Sequence, residues 1–338
     1  MRVGIVGSWQ EDDCETLALK GTYQGFAEAC GQIGAALAER GIRIVVGGDD
    51  EFTADFHVVW SYLKVATKRR SPASPLIEVL RPSYRDHPFA NEYARWPSLI
   101  TYLPPSDSHW SHVRLRFAQI VDATIAIGGG SGTYGAGLAA IVMNKRLLPI
   151  GAFGGAAEKL LPGLVAKAED DVKAAGLNAP WIEESASRIV SVLDRPPKVL
   201  LIHGHAADWR EVKDWMIAEK LANPMVMLQD FAAGKTLPEK FEELAYAAEA
   251  AIAIVTPDDL GGSVAKVASQ NSRARQNVWV EVGWFWGRLG RRRVLLLVKG
   301  DVELPSDLDG IDHATYEKSP LEESEVLRKF LQFLGEGR

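Results

Sequence analysis

The stretch TIAIGGGSGTYGAGLAAIVMN (124–144) decides the fold of the first half of the chain. Its first part, 124–130, is a short apolar run that ends in glycines, which predicts a buried strand entering a glycine loop. Residues 131–144 then predict a helix, and RLLPIG (146–151) predicts a further strand. A strand, a helix and another strand in this order predict a parallel βαβ unit.

The same alternation extends towards the N-terminus. VGIVG (3–7) and IRIVVGG (42–48) are strand patterns, and FAEACGQIGAALAERG (26–41) between them is a helical pattern that ends in glycine. Such a rhythm is typical of a mostly parallel sheet with helices on both faces.

A break in the pattern divides the chain. The segment 195–197, Arg-Pro-Pro, cannot continue a helix, and KVLLIHGH (198–205) begins a new strand directly after it. We therefore predict an α/β protein of two doubly wound domains with mostly parallel sheets, residues 1–194 and 195–338. The second half shows strand patterns at 225–228, 251–256 and 293–300, and helical patterns near 208–221, 237–249, 276–289 and 321–335.

Composition and charge exclude several classes of protein. The 338 residues are 47% hydrophobic and 24% charged, which is the balance of a folded globular chain. The net charge of −6 argues against a general nucleic-acid binder.

No apolar run approaches the ~20 residues that span a bilayer, so we expect no membrane association and a cytoplasmic location. The two cysteines, Cys14 and Cys30, form neither a disulfide framework nor a metal motif, and we expect no metal.

The glycine loop has the chemistry of a phosphate site. The amides of a first helical turn, together with the positive end of the helix dipole, attract phosphate. Gly130, Gly132 and Gly135 fit G-x-G-x-x-G, but the next strand ends at 149–152 without the acid that a dinucleotide fold carries, which argues against an ordinary NAD site. The alternative is a glycine-rich turn that only lets the strand and the helix pack closely.

These motifs resemble the SLOG group, whose enzymatic members are the LOG-type nucleoside-monophosphate phosphoribohydrolases. The resemblance spans about residues 1–175 and rests on His112-Val113-Arg114, on the GG-x-G-T run at 129–133, on VGIVGSW and on VVGGD. It implies a SLOG-like Rossmannoid domain that binds a nucleotide-derived signal through Gly7, Ser8, Trp9, Gly48, Asp49, Arg114, Gly129, Gly130, Ser131, Gly132 and Thr133.

Two positions of this resemblance bear on function. Arg114 has the planar fork that pairs with phosphate, and its alternative is an ordinary surface arginine. Ala136 stands where the enzymatic members carry a glutamate that takes part in glycosidic cleavage. Without that carboxylate we expect the pocket to survive and the chemistry to be lost, as in a sensor domain.

In the second half, the run RQNVWVEVGWFWGRLG (275–290) predicts a helix with one apolar stripe through Val278, Val282 and Phe285. Glu281 falls on the margin of that stripe, where a carboxylate is half-buried. Such a group tends to have a raised pKa and is a candidate for chemistry. The alternative is a glutamate that faces water at the edge of a packed helix.

The wider pattern closely resembles the bacterial TIR-like nucleotide-binding domain of antiviral effectors, over about residues 197–318. KVLLIHGH, GKTLPEKFEELA, AIAIVTPDD and the RARQNV-x-x-E-x-G run followed by KGDVELPSDLDG carry the resemblance. It implies a flavodoxin-type domain in which Glu281 cleaves the nicotinamide–ribose bond of NAD, taken as substrate and not as cofactor. It also implies substrate contacts at His203, Gly204, His205, Phe231, Lys235, Thr236, Asn277 and Trp284. For Trp284, packing in a core or an interface is the alternative to stacking on NAD.

The motifs and the two resemblances lead to three hypotheses about function. The preferred one is a homo-oligomeric antiviral effector in which a nucleotide-derived second messenger, bound by the first domain, gates NAD glycohydrolase activity in the second. The second is a non-enzymatic adaptor in which the TIR-like half makes protein contacts. The third makes the first half a phosphoribohydrolase, and Ala136 counts against it.

Overall fold

The computed structural model shows two compact units, Met1–Arg195 and Pro196–Glu336. The division falls one residue after the boundary at 194/195 predicted from the sequence. The structure describes residues 1–68, 76–84, 86–105, 109–143, 145–193, 195–227, 236–262, 270–308 and 310–336, and of residues 165–170 and 335–336 it describes the backbone alone.

The first unit alternates strands and helices along the chain. Its elements are β1 (Arg2–Ser8), α1 (Cys14–Leu17), α2 (Tyr23–Glu39), β2 (Arg43–Val46), α3 (Ala54–Ala66), β3 (Ile77–Val79), α4 (Ala90–Arg95), β4 (Ile100–Tyr102), α5 (Trp110–Ile120), β5 (Ala123–Gly128), α6 (Ser131–Val142), β6 (Arg146–Ile150), α7 (Gly155–Ala175) and α8 (Ser185–Leu193).

The strands of the first unit form a parallel sheet in the order β4-β3-β2-β1-β5-β6. Val3 of β1 lies opposite Ile44 of β2, and Ile5 lies opposite Ile125 of β5. The strand order reverses between β1 and β5, and open α/β sheets bind ligands outside the carboxyl ends of the strands at such a point. The predicted parallel α/β architecture is confirmed in this unit.

Helix α2 illustrates how the sequence builds the first unit. The Thr22 side chain caps its N-terminus by accepting a hydrogen bond from the Gly25 amide at 3.1 Å. Phe26, Ile33 and Leu37 recur at helical spacing and are buried in the same core as the strands. Burying each of these side chains stabilises the fold by about 1.5–3 kcal/mol.

The second unit repeats the α/β alternation. Its elements are β7 (Lys198–His203), α9 (Asp208–Glu219), β8 (Asn223–Val226), α10 (Leu237–Ala247), β9 (Ala250–Val255), β10 (Asp259–Gly261), β11 (Asn271–Arg273), α11 (Gln276–Leu289), β12 (Val294–Lys299), β13 (Ala314–Tyr316) and α12 (Ser324–Glu336).

Five parallel strands of the second unit follow the order β8-β7-β9-β12-β13. This is the 2-1-3-4-5 order of flavodoxin-type folds, as predicted, and its switch point lies between β7 and β9. β10 and β11 form a separate antiparallel pair that the sequence pattern does not predict. Among the described helices of the whole chain, none combines the length and the apolar character needed to cross a membrane.

Candidate functional sites

A cavity of about 250 Å³ lies at the carboxyl end of β1 in the first unit. Six of the residues predicted to bind a signal nucleotide line it: Gly7, Ser8, Gly48, Arg114, Gly132 and Thr133. They come from the end of β1, the loop after β2, helix α5 and the first turn of α6. The fold therefore brings these separate sequence motifs together at the switch point of the sheet.

The glycine loop between β5 and α6 has a backbone that other residues rarely adopt. Gly128 and Gly129 have φ angles of +58° and +76°, in the left-handed region. The Gly129 amide donates to the Ser8 carbonyl at 2.8 Å, which ties the loop to the end of β1. A Cβ atom on Gly129 would overlap with the Thr133 side chain. The loop thus needs glycine at 128 and 129 for its backbone conformation and, at 129, for its close approach to Thr133.

Arg114 lies over the first turn of α6. A Cβ atom built on Gly132 would come within 2.6 Å of the Arg114 Nη2 atom, so the missing side chain at 132 leaves room for the guanidinium. Among the described residues Arg114 forms no hydrogen bond and no ion pair. An unpaired guanidinium beside the amides of a helix N-terminus is an arrangement that suits a phosphate group.

The other predicted signal-binding residues lie at the same end of the sheet but do not line the described cavity. Trp9 is a core residue whose Nε1 donates to the Lys20 carbonyl at 3.0 Å. The Asp49 carboxylate accepts a hydrogen bond from the Phe89 amide at 3.2 Å. Gly129, Gly130 and Ser131 shape the glycine loop, with Gly130 at the N-cap of α6.

The sequence motifs do not predict several of the residues that line the cavity. Trp110 and Phe117 of α5 supply aromatic walls, and Asp55 of α3 supplies a carboxyl group. Ala136, which by the resemblance to the SLOG group replaces a glutamate, also lines the cavity and is buried. No local motif distinguishes Asp55, because Asp49, Asp50 and Glu51 precede it within six residues.

Asp55 is a buried acid without a cation partner among the described residues. Asp55 is only 8% exposed, and its Oδ1 accepts a hydrogen bond from the Gly47 amide at 3.3 Å. Burial raises the pKa of Asp55 to about 8, against the opposing effect of hydrogen bonds from the Gly47 amide and from its own backbone amide. The group is therefore largely protonated at neutral pH.

In the second unit, the predicted substrate contacts at 203–205 lie at the end of β7 and in the loop that follows it. The His203 ring stacks on Trp209, with centroids 4.8 Å apart and planes at 20°. Its Nδ1 lies 2.8 Å from the Gly204 carbonyl oxygen, a contact that requires the proton on Nδ1. Burial lowers the pKa of His203. The imidazole is thus held in one orientation at the switch point.

Asp258, which follows β9, holds this loop from the neighbouring strand. Its Oδ1 accepts hydrogen bonds from the amides of His205 at 3.1 Å and Ala206 at 3.2 Å. Its Oδ2 accepts one from the Thr256 hydroxyl at 2.9 Å. A Cβ atom on Gly204 would overlap with the Asp258 carboxylate, so glycine at 204 is what lets this carboxylate approach the backbone.

Glu281 lies in the middle of α11, a helix that packs against β7 and β9. Its side chain is half-buried and forms no hydrogen bond or ion pair among the described residues. Burial raises the pKa of Glu281 to about 7, and the charge of Arg275 acts in the opposite direction. Asn277 lies exposed one helical turn earlier on α11.

The remaining predicted substrate contacts differ in their surroundings. Trp284 packs edge-on against Phe241, Tyr246 and Phe285, with ring centroids 5.1–5.5 Å apart. These contacts are those expected of a tryptophan that packs in a core. Stacking of Trp284 on a substrate stays a prediction. Thr236 is the N-cap of α10, in a capping box with Glu239. The predicted contacts Phe231 and Lys235 lie outside the described residues.

The described part of the chain holds no cluster of three or more His, Cys, Asp or Glu side chains that suits a metal ion. Both cysteines are free thiols, with Cys30 buried in the core of the first unit.

Comparison with known families identifies the class of the second unit. Residues 198–318 match the family model described as CAP12/Pycsar effector protein, TIR domain. The strand order and this match agree with the resemblance drawn from the sequence, which is confirmed for this part of the chain. Over these residues the second unit is therefore similar to the TIR domain of CAP12/Pycsar effector proteins.

Two curated relatives share shorter stretches with the chain. The uncharacterized protein YuaY of Escherichia coli (strain K12) is 40% identical over 114 residues, which is 34% of this chain and 38% of YuaY. The Pycsar effector protein PaPycTIR of Pseudomonas aeruginosa is 43% identical over 88 residues, 25% of this chain and 28% of that protein. The chain thus spans less than two fifths of the length of either relative.

Among solved structures, the X-ray structure of TM1055 is similar, with a TM-score of 0.34 and 16% sequence identity. The likeness covers 47% of this chain and 79% of that one.

Proposed function

We propose that this protein is an antiviral-defence effector that cleaves NAD under the control of a nucleotide-derived signal. The TIR-type second unit is the NAD glycohydrolase, and the cavity of the first unit binds the signal. The observation that carries the proposal is Glu281, a half-buried carboxyl group with no ion pair to any described residue, on the helix that packs against the two strands of the switch point.

The chemistry of NAD cleavage suits such a carboxyl group. Nicotinamide leaves as a neutral base, because the electron pair of the broken bond moves to its positively charged ring nitrogen, and it needs no proton. Positive charge develops at the anomeric carbon of the ribose, and water then adds to that carbon and loses a proton. A carboxylate fixed in a site of low polarity stabilises this developing charge more than water does.

The first unit supplies a site for an anionic signal. The unpaired Arg114 guanidinium and the amides at the start of α6 offer phosphate contacts, while Trp110 and Phe117 offer aromatic walls to a base. Ala136 leaves the cavity without a carboxylate at the position that would cleave a nucleoside monophosphate. This supports ligand sensing over phosphoribohydrolase activity.

Helix α6 offers a route from ligand binding to assembly. Its first turn lines the cavity, and Tyr134, Leu138 and Val142 form an exposed apolar stripe along the same helix, with Val142 83% exposed. Exposed apolar stripes mark surfaces for protein contacts. We propose that a second copy of the chain covers this stripe in the active oligomer. The signal must then bind the active assembly more tightly than the idle protein.

Replacing Arg114 tests the signal site. We expect Arg114→Gln to weaken the binding of ADP-ribose or 3′,5′-cyclic AMP by about tenfold or more, because a charge-assisted phosphate contact is worth about 1.5–3 kcal/mol. Isothermal titration calorimetry measures the effect. Arg188→Gln is the matched control, since Arg188 is an exposed arginine of α8 away from the cavity. Equal affinities for wild type and Arg114→Gln would contradict this role.

The pH profile tests the role of Glu281. The carboxylate must be ionised to stabilise positive charge, so kcat/KM for NAD should rise with pH through about 7 and level off above it. Arg275 opposes the raised pKa, so Arg275→Gln should move the midpoint to higher pH, whereas Arg292→Gln, in an exposed turn, should not. Nicotinamide release measures both profiles. A rate that falls across this range, or an unmoved midpoint in Arg275→Gln, would exclude this assignment.

A further inference from the structure

The cavity of the first unit is lined by a guanidinium group on one side and by a buried carboxyl group on the other. Arg114 and the first turn of α6 line it from the side of β5, and Asp55 lines it from the loop and helix that follow β2. Asp55 is 8% exposed, and its Oδ1 has one long hydrogen bond, 3.3 Å from the Gly47 amide. Its carboxyl group also accepts a hydrogen bond from its own backbone amide, and it lines the cavity.

Among the residues that the structure describes, no cation pairs with the Asp55 carboxyl group. Cys30 of α2 is near enough for the charge of Asp55 to contribute to the raised pKa of its thiol, which is caused mainly by burial. Asp49 and Asp50 lie in the preceding loop, and His57 lies further along α3. Across the cavity, Arg114 is directed to the first turn of α6. A buried carboxyl group in such a place is more stable with its proton than without it.

A protonated carboxyl group has one O–H donor, which needs an acceptor when it is buried. Asp55 lines the cavity, so a ligand held there can supply that acceptor. We propose that Asp55 recognises the signal by donating its proton to a neutral acceptor, a ring nitrogen or carbonyl oxygen of the base of a nucleotide whose phosphate lies at Arg114. This inference rests on the proposed signal site and adds the class of ligand and a dependence on pH.

The pH dependence follows with a defined sign. Burial holds the pKa of Asp55 at about 8, so the donor is present below that pH and is lost above it. Binding should therefore weaken as the pH rises, whereas a carboxylate that accepts hydrogen bonds from ribose hydroxyls would bind more tightly. The two modes of recognition thus give opposite slopes.

Calorimetry with 3′,5′-cyclic AMP and with ADP-ribose on the full chain tests the proposal. Both are phosphodiester-type probes whose phosphates do not titrate near neutral pH, so a slope reports on the protein. Between about pH 6.5 and about pH 9.5, we expect the affinity of wild type for the bound probe to fall by roughly tenfold or more. Asp55→Asn keeps a donor that does not titrate, and its affinity should stay near the low-pH value of wild type at both pH values.

Three outcomes would overturn the inference. A wild-type affinity that is constant or rises with pH would exclude donation by Asp55, and this result needs no variant to fold. An unchanged pH slope in Asp55→Asn would assign the titration to another group. Failure of wild type to bind either probe at any pH would overturn the proposed signal site itself, together with this inference. Binding by wild type that is lost in Arg114→Gln at both pH values would show that the probe occupies the proposed signal site, which separates the first two outcomes from the third.

A second readout needs no ligand. The pKa of Asp55 is raised in the folded state. Between about pH 4 and about pH 8, the folded chain therefore keeps a proton that the unfolded chain has already lost. The contribution of Asp55 to stability is therefore largest at low pH and falls as the pH rises, by up to about 1.4 kcal/mol per pH unit. The difference in melting temperature between Asp55→Asn and wild type should change across that range in favour of the variant.

Discussion

Glu281→Gln is expected to reduce NAD cleavage by about a thousandfold or more, with little change in melting temperature. The amide has the shape of the carboxylate but no negative charge, so it cannot stabilise the positive charge that develops on the ribose. Because Glu281 forms no ion pair among the described residues, its neutralisation leaves no buried cation behind. Nicotinamide release by the activated full chain measures the loss.

A matched control separates chemistry from a general loss of charge. Glu242→Gln removes the same charge from an exposed position on α10 and should leave the rate unchanged. If Glu281→Gln retains most of the wild-type rate, the catalytic assignment is wrong. If wild type itself consumes no NAD under conditions in which it assembles, the adaptor function is the correct one.

Gly204→Ala is the second substitution for which we expect a large effect, a loss of about a hundredfold or more in NAD turnover. The new methyl group would overlap with the Asp258 carboxylate. That carboxylate would then lose its hydrogen bonds to the amides of His205 and Ala206, and the loop beside His203 would shift. A displacement of about 1 Å in a positioning loop is enough for a loss of this size.

Two further variants make the test specific. Gly287→Ala adds the same methyl group to α11, where nothing lies within 4 Å, and should leave turnover unchanged. In Gly204→Ala/Asp258→Ala the overlap is removed, so the double variant should lose less activity than the two single losses combined. Strict additivity would show that the residues do not act through this contact.

Much of the fold follows from local sequence patterns. The apolar runs at 3–7 and 124–130 become β1 and β5, because a strand buried on both faces reads as a continuous apolar segment. The pattern fails at α7, where Pro162 lies inside the helix and tertiary packing overrides its low helix propensity. It also fails at the β10–β11 pair, whose short strands carry little apolar signal.

The site residues differ in how far the sequence predicts them. Arg114 and Glu281 stand in motifs that span many residues, so a resemblance finds them. Asp55 and Asp258 become visible only when the fold places one beside the amide after β2 and the other beside the loop after β7. The surroundings of Asp55 and Asp258 depend on contacts between residues that are far apart in the chain. The local spacing of residues in the sequence does not predict such contacts.

The central claim is that a ligand of the first unit switches on NAD cleavage in the second. The most direct test is the rate of nicotinamide release by the full chain against a panel of linear and cyclic nucleotides, with particle mass recorded in the same samples. We expect at least one nucleotide to raise the rate and the particle mass together, and Arg114→Gln to abolish both responses. A rate that is the same with and without every nucleotide, at all protein concentrations, would contradict the account.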